Sequence, residues 1–424
     1  MPASLPWLDR FAIGTTLLLP LFFMHGRGVA EVLIALIDLA FLARCALIGD
    51  WSWLRSTWVR VAALWWAWLI LCSLPGIGLG GTKSLVQAIV VVRFLLFVAA
   101  LETAILATAQ ARRWLQVSLT ASALYIAAQT LIQFTFGTNL GGYPRHGDGE
   151  LTGPFEHPRA AAPPSRLLFP TLLPPLTRLL AGTTARKAAA AALAILGVGT
   201  VVLIGQRMPL LLTFLGLVVT GLMLPRLRVV VASAILAGAI LLAASAALSP
   251  PTFYRLVTKF SAQMGNFPDS DYGLIAARAV IIANDHPIFG QGFDGFRNAC
   301  PDPRYHHGWS LAAAHPDGGG ALICNIHPHN HYLEAVTNAG YPGLILFSGL
   351  ILAWLRALVR NLGPTPDPLR VGLFVAALIQ EWPIASASGF TAVEIAGFFF
   401  LLLGYGLALA RTAPISPSAS TPST

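Results

Sequence analysis

The chain has 424 residues, of which 56% are hydrophobic and only 11% charged, with a formal net charge of +9. A soluble domain carries about 25% charged residues, so the composition excludes an ordinary soluble globule and implies repeated bilayer crossings. The positive charge reads as membrane topology and not as a nucleic-acid surface, because membrane proteins gather Lys and Arg in cytoplasmic turns.

Length and continuity of the apolar runs predict an all-α polytopic membrane protein with about twelve transmembrane helices. In chain order they cover 10–25, 28–47, 58–77, 84–106, 113–136, 160–181, 187–205, 208–224, 229–248, 331–358, 368–388 and 390–411. The first run lacks a charged leader and a small-residue cleavage site, and more spans follow at once, so it reads as a helix and not a cleaved signal. The sixth run carries Pro170, Pro174 and Pro175, which a membrane helix tolerates when neighbours satisfy the freed carbonyls. The chain therefore divides into helices one to nine (1–248, with a long loop at 137–159), a large loop or helical subdomain at 249–330, three last helices in 331–411, and a Ser/Thr/Pro-rich tail at 412–424 expected to be disordered.

Arg10, Arg44, Arg55, Arg60, Arg112, Arg113, Arg178, Arg186, Lys187, Arg226, Arg228, Arg356, Arg360, Arg370 and Arg411 fall at the chain ends or in alternate short turns. The positive-inside rule puts those turns and both termini in the cytoplasm. The loops 137–159 and 249–330 then face outward. Within the second, Tyr272–Ala283 has helical spacing and Pro287–Phe293 is a Gly-rich turn. Cys300 and Cys324 lie in the same outward loop, so either a disulfide or two free thiols is open to them.

Several outward arginines have no topological use: Arg207 in the very short turn Gln206-Arg207-Met208, Arg278 on the helical stretch, and Arg145 and Arg159 in the first loop. A guanidinium offers a donor fork that fits phosphate oxygens, although an arginine also snorkels to headgroups or pairs with loop acids. Arg93 stands inside an apolar span. It either binds lipid phosphate or pairs with a buried acid such as Asp38 or Glu102. Intramembrane charges of this kind, with Glu381, also keep a transporter in view as a function of another class.

The densest polar cluster is His327, His329, Asn330 and His331, at the entry to the span 331–358. Zinc is one reading, but His-Glu-x-x-His is broken by Pro328. Asn330 is a good N-cap for the helix that follows. A histidine at the membrane surface, beside arginines, suits a general base that takes a proton from a hydroxyl.

His329-Asn330 followed by Tyr332-Leu333 and Gly340-x-x-Gly343, the turn Gln206-Arg207, and Arg278 followed by Pro287-Ile-Phe-Gly-Gln-Gly-Phe293 resemble the O-antigen ligase and O-antigen polymerase superfamily. These are GT-C-type glycosyltransferases of the bacterial envelope. The resemblance implies transfer of a glycan from undecaprenyl diphosphate to a hydroxyl of lipid A–core oligosaccharide, at the periplasmic face of the inner membrane. It implies His329 as base, and Arg207 and Arg278 as diphosphate ligands. His327, Asn330, Arg145, Arg159 and Arg93 become substrate-binding or orienting residues. Transfer would be direct and inverting, with no cofactor and no metal. A polymerase or a protein O-oligosaccharyltransferase using the same donor is the alternative within the family.

Overall fold

The computed structural model describes residues 6–147, 149–160, 162–309, 319–324, 327–387 and 389–412; the tail expected to be disordered lies, beyond Thr412, outside the described residues. Among the described residues there is no strand, only isolated bridges. The helices are α1 (Pro6–His25), α2 (Arg27–Ile48), α3 (Thr57–Cys72), α4 (Gly81–Val90), α5 (Val92–Ala100), α6 (Ala109–Phe136), α7 (Ala162–Leu180), α8 (Thr184–Ile204), α9 (Arg207–Met223) and α10 (Arg228–Leu248). After the short α11 (Pro250–Phe253) and α12 (Lys259–Gly265) come α13 (Asp271–Asp285), α14 (Gly295–Ala299), α15 (His331–Val359), α16 (Pro368–Gln380) and α17 (Val393–Thr412).

All twelve apolar runs fall on helices, and the chain is an all-α polytopic membrane protein. Among the described residues seven helices are long and apolar enough to cross a bilayer, and α3, α9 and α16 are shorter apolar helices. Leu124, Leu222, Leu236 and Ile345 are exposed on helix flanks, as a lipid-facing surface requires, whereas Phe398, Phe400 and Leu401 of α17 are wholly buried. The bundle is thus organised around α17, and α7 is the second packing centre. Gly372 of α16 lies so close to α7 that a Cβ there would sit 2.7 Å from the Phe169 carbonyl. Pro174 has no N–H to give the Pro170 carbonyl, and the Gln116 side-chain amide of α6 donates to that oxygen instead (2.8 Å).

Two spans depart from the sequence expectation. The span 331–358 is interrupted: Ala339 and Gly340 leave helical geometry, and Gly340 sits at φ 66°, ψ −172°, a region only glycine occupies readily. The Gly-rich turn 287–293 fills the break. The N–H groups of Gln291 and Gly292 donate to the carbonyls of Thr337 and Asn338 (2.8 and 2.9 Å), Trp68 Nε1 donates to the Ala339 carbonyl (2.8 Å), and the Tyr341 N–H donates to the Pro287 carbonyl (2.8 Å). The run 368–388 ends as a helix at Gln380 because the residues after it turn back onto the histidine segment. Tyr332 Oη donates to the Glu381 carbonyl (2.7 Å), and the Ala387 N–H donates to the His329 carbonyl (2.8 Å).

Candidate functional site

A cavity of about 760 Å³ opens among the loop before α7, the N-termini of α7 and α9, the helical loop 250–285 and the segments 328–333 and 383–387. Specific tethers fix several of its walls. Gln133, buried in α6, accepts from the N–H groups of Thr152 and Gly153 (2.7 and 3.1 Å) and donates to Thr152 Oγ1 (2.9 Å). The Leu151 N–H donates to the Ile204 carbonyl at the end of α8 (3.2 Å). These bonds carry Glu150 to the start of α9.

There Glu150 meets two donors and a further cation. Gln206 donates to one of its oxygens, Arg255 Nη2 donates to the other (2.7 Å), and Arg207 stands beside them with its Nη1 on Gln263. Arg255 belongs to a π-helical turn, Tyr254–Thr258, and its Nε also donates to the Gly205 carbonyl (3.2 Å). A π-turn re-aims side chains relative to a regular helix and recurs at functional sites. Burial pushes the Glu150 carboxyl up to about 7, against the opposing pull of Gln206, Arg207 and Lys259. This end of the cavity is a patch of guanidinium and amide donors around one poised carboxylate.

The other end holds His329. Asn330 is the N-cap of α15, its Oδ1 accepting from the N–H groups of Tyr332 and Leu333 (3.0 Å each). Its Nδ2 donates to the carbonyls of Pro383 and Ala385 (2.8 and 3.1 Å), so the cap also ties down the cavity wall. His329 stands at φ 54°, in the left-handed region, and its ring centroid lies 5.4 Å from that of Tyr272. A non-glycine residue held there marks a backbone whose surroundings over-determine it. The His329 N–H donates to His327 Nδ1 (3.2 Å), which leaves the proton of the neutral His327 ring on Nε2. Burial holds His329 below the ordinary histidine range, and burial with the neighbouring His329 and His331 takes His327 down to about 3. Both imidazoles are therefore neutral, and a neutral imidazole can accept a proton.

Of the residues singled out from the sequence, Arg159, Arg207, His329 and Asn330 line this cavity. Arg159 is paired with Glu394. His327 stacks edge-on behind His329 at 4.7 Å, outside the lining. Arg278 is wholly buried and does not line the cavity; its Nη1 donates to the Gly320 carbonyl (2.6 Å) and lies 3.2 Å from Cys324 Sγ. Tyr272, Ala276 and Val280 give α13 its cavity face. Position 278 is two residues from 276 and from 280, about 200° round the helix, so its side chain enters the core of the subdomain beside Ile275, Ile282 and Phe296. Cys300 and Cys324 are disulfide-bonded in that same core.

Arg145 packs over the Phe134 ring and donates to the Phe134 carbonyl (3.2 Å), away from the cavity. Arg93 also lies elsewhere. Its carboxylate partner is Glu31 (2.9 Å), not Asp38 or Glu102. His331 is buried against Glu381 (2.9 Å). Among the described residues no group of three His, Cys, Asp or Glu side chains is placed to hold a metal ion.

Sequence reading passed over Glu150, Arg166, Arg255, Gln263 and Tyr272, all of which line the cavity. One signal was available for Arg166, an arginine inside a predicted span, which is rare without a function. Arg255 had a weaker one, a lone cation among Tyr254, Leu256 and Val257 in the outward loop.

Residues 192–348 match a protein-family model described as O-antigen ligase, the family that the motifs resemble. The matched segment contains Gln206, Arg207, Arg255, Tyr272, Arg278 and His329. No curated protein matches the chain.

Proposed function

We propose, for a chain similar to the O-antigen ligases over 192–348, that it transfers a glycan from a lipid-linked diphosphate donor to a hydroxyl acceptor. The donor in this reading is undecaprenyl diphosphate-linked glycan. The acceptor is lipid A–core oligosaccharide, and the reaction runs at the periplasmic face of the inner membrane with both termini cytoplasmic. The observation that carries the reading is the union of Arg207, Arg255 and His329 in one cavity at the head of the membrane helices. A diphosphate needs cations that stay charged, and an acceptor hydroxyl needs a neutral base.

His329 takes the proton of the acceptor hydroxyl as its oxygen bonds to the anomeric carbon. The bond from that carbon to the diphosphate oxygen breaks on the opposite face, so the configuration inverts. The electron pair stays on the diphosphate, whose growing charge Arg207 and Arg255 stabilise. His329 then releases its proton to solvent. Asn330 holds the height of His329 and the wall beside it. Arg278 acts from a distance, by holding the disulfide-bonded loop and α13 in place.

The test is a reconstituted reaction with purified protein, lipid-linked glycan and lipid A–core, with EDTA and without ATP. Glycosylated lipid A–core is the expected product, and Arg207→Ala and His329→Ala should abolish it. Elongation of the glycan on its carrier would instead make the chain a polymerase. An active His329→Ala variant would remove the base assignment, and no product of either kind would sink the transferase reading.

A further inference from the structure

We propose that Arg166 forms a second anion subsite in the cavity, which holds a phosphate oxygen of a lipid-borne substrate apart from the Arg207–Arg255 end. Arg166 is the fifth residue of α7, a helix of 19 residues whose first turn, through Ala162, Ser165 and Arg166, opens on the cavity. The helix dipole favours negative charge at that end. Pro163 and Pro164 remove two of the N–H groups that would otherwise bind an anion, and Ser165 Oγ donates to the Ala162 carbonyl (2.9 Å). Recognition therefore falls to the guanidinium.

Arg166 is 7% exposed as a residue, and its Nη1 is buried with no hydrogen-bond partner. No carboxylate among the described residues accepts a hydrogen bond from it. Glu150 accepts from Arg255 and Gln206, and Glu394 pairs with Arg159. Glu381, the carboxylate whose field reaches Arg166, has one oxygen on His331 Nδ1 (2.9 Å) and the other without a hydrogen-bond partner, so it offsets the charge of Arg166 without a hydrogen bond to it. A buried cation with an open donor costs stability unless a ligand completes it. Leu212, Ile379, Ile384 and Ile395 are among the apolar residues that line the same cavity. Such walls strengthen a charge-assisted hydrogen bond and suit an anion attached to a hydrocarbon chain more than a free, hydrated one.

The two phosphate sources are the diphosphate of the carrier and a phosphate on the acceptor lipid. The subsite rests on the proposed transferase only for the choice of those lipids; binding itself needs no turnover. The test uses the full chain in detergent with two probes, undecaprenyl diphosphate without glycan and bisphosphorylated lipid A. Affinity and unfolding temperature are measured for wild type, Arg166→Met and Arg166→Lys. Arg166→Met should bind one probe about tenfold or more weakly, while its unfolding temperature reads separately the loss of the attraction between Arg166 and the buried Glu381. Arg166→Lys, which keeps the charge and loses the fork, should fall between them. Loss confined to undecaprenyl diphosphate assigns the subsite to the donor, and loss confined to lipid A assigns it to the acceptor. Affinities for both probes within twofold of wild type in both variants overturn the proposal. Arg166-dependent binding without any transfer would keep the subsite and discard the transferase.

Discussion

Glu150 and Arg255, 105 residues apart in sequence, form an ion pair of 2.7 Å at one end of the cavity. Its carboxylate is raised from 4.5 to about 7 by burial. The sign of the linkage follows from proton counts. Between about pH 4.5 and 7 the folded chain holds the Glu150 proton more tightly than the unfolded chain does, so folding stability falls as pH rises through that window. Replacing the carboxylate by an amide removes this term. The unfolding temperature of solubilised Glu150→Gln should therefore fall less between pH 5 and 7 than that of wild type. Equal slopes for the two proteins would show that the carboxylate ionises in the fold as it does in water.

His327 imposes the opposite slope. Its folded value, about 3, lies below the ordinary 6.5, so the unfolded chain binds the proton first as pH falls. Stability is then lost progressively from pH 6.5 downward. His327→Gln should lose less stability than wild type between pH 6.5 and 4, read by the same unfolding measurement. His329 is shifted in the same direction, and a base that stays neutral to lower pH places the acid limb of the transfer rate below 6.5. An acid limb at or above 6.5 would count against His329 as that base.

Much of the fold was legible because membrane helices advertise themselves by length and apolarity, from α1 to α17. What escaped was decided by pairs distant in sequence. The break in α15 depends on a turn some 50 residues upstream; Gly340 and Pro342 are local signals of a break, but neither says what fills it. The site was half legible for the same reason. Arg207 and His329 stand out because they interrupt short, defined segments. Arg278 looked equivalent to Arg207 by residue type, but helical phase turns it into the subdomain core, and phase is visible only once the cavity face of α13 is known. Arg255 hid inside a π-turn, whose extra residue per turn defeats a periodicity of 3.6.

The α15 break gives a sharp test of packing. A Cβ on Gly340 would sit 2.3 Å from the Ile288 carbonyl oxygen, on a backbone conformation that side chains rarely adopt. Gly340→Ala should therefore cost at least about 2 kcal/mol. Gly349 lies on the same helix, where the nearest atom to an added Cβ is 3.8 Å away. Gly349→Ala should be neutral or stabilise by about 0.5–1 kcal/mol, because alanine is the better helix former. Similar losses of unfolding temperature in the two variants would mean that the turn 287–293 does not lock the break.

The contrast between Arg207 and Arg278 separates chemistry from support. Arg278 is buried on the Gly320 carbonyl and the disulfide sulfurs. Arg278→Gln leaves those acceptors without their charged donor and should cost about 2–3 kcal/mol of stability. Arg207 faces the cavity from the first position of α9, half-buried, with Gln263 as its amide partner. Arg207→Gln should change stability by less than about 1 kcal/mol while lowering the transfer rate about 100-fold or more. Each variant is measured twice, by unfolding temperature and by initial rate at saturating donor. If the rate of Arg278→Gln recovers when the assay is cooled well below its unfolding temperature, the arginine is a support. If it stays low while Arg207→Gln remains active, the roles are exchanged, and α13 must rotate in the working enzyme to bring Arg278 to the diphosphate.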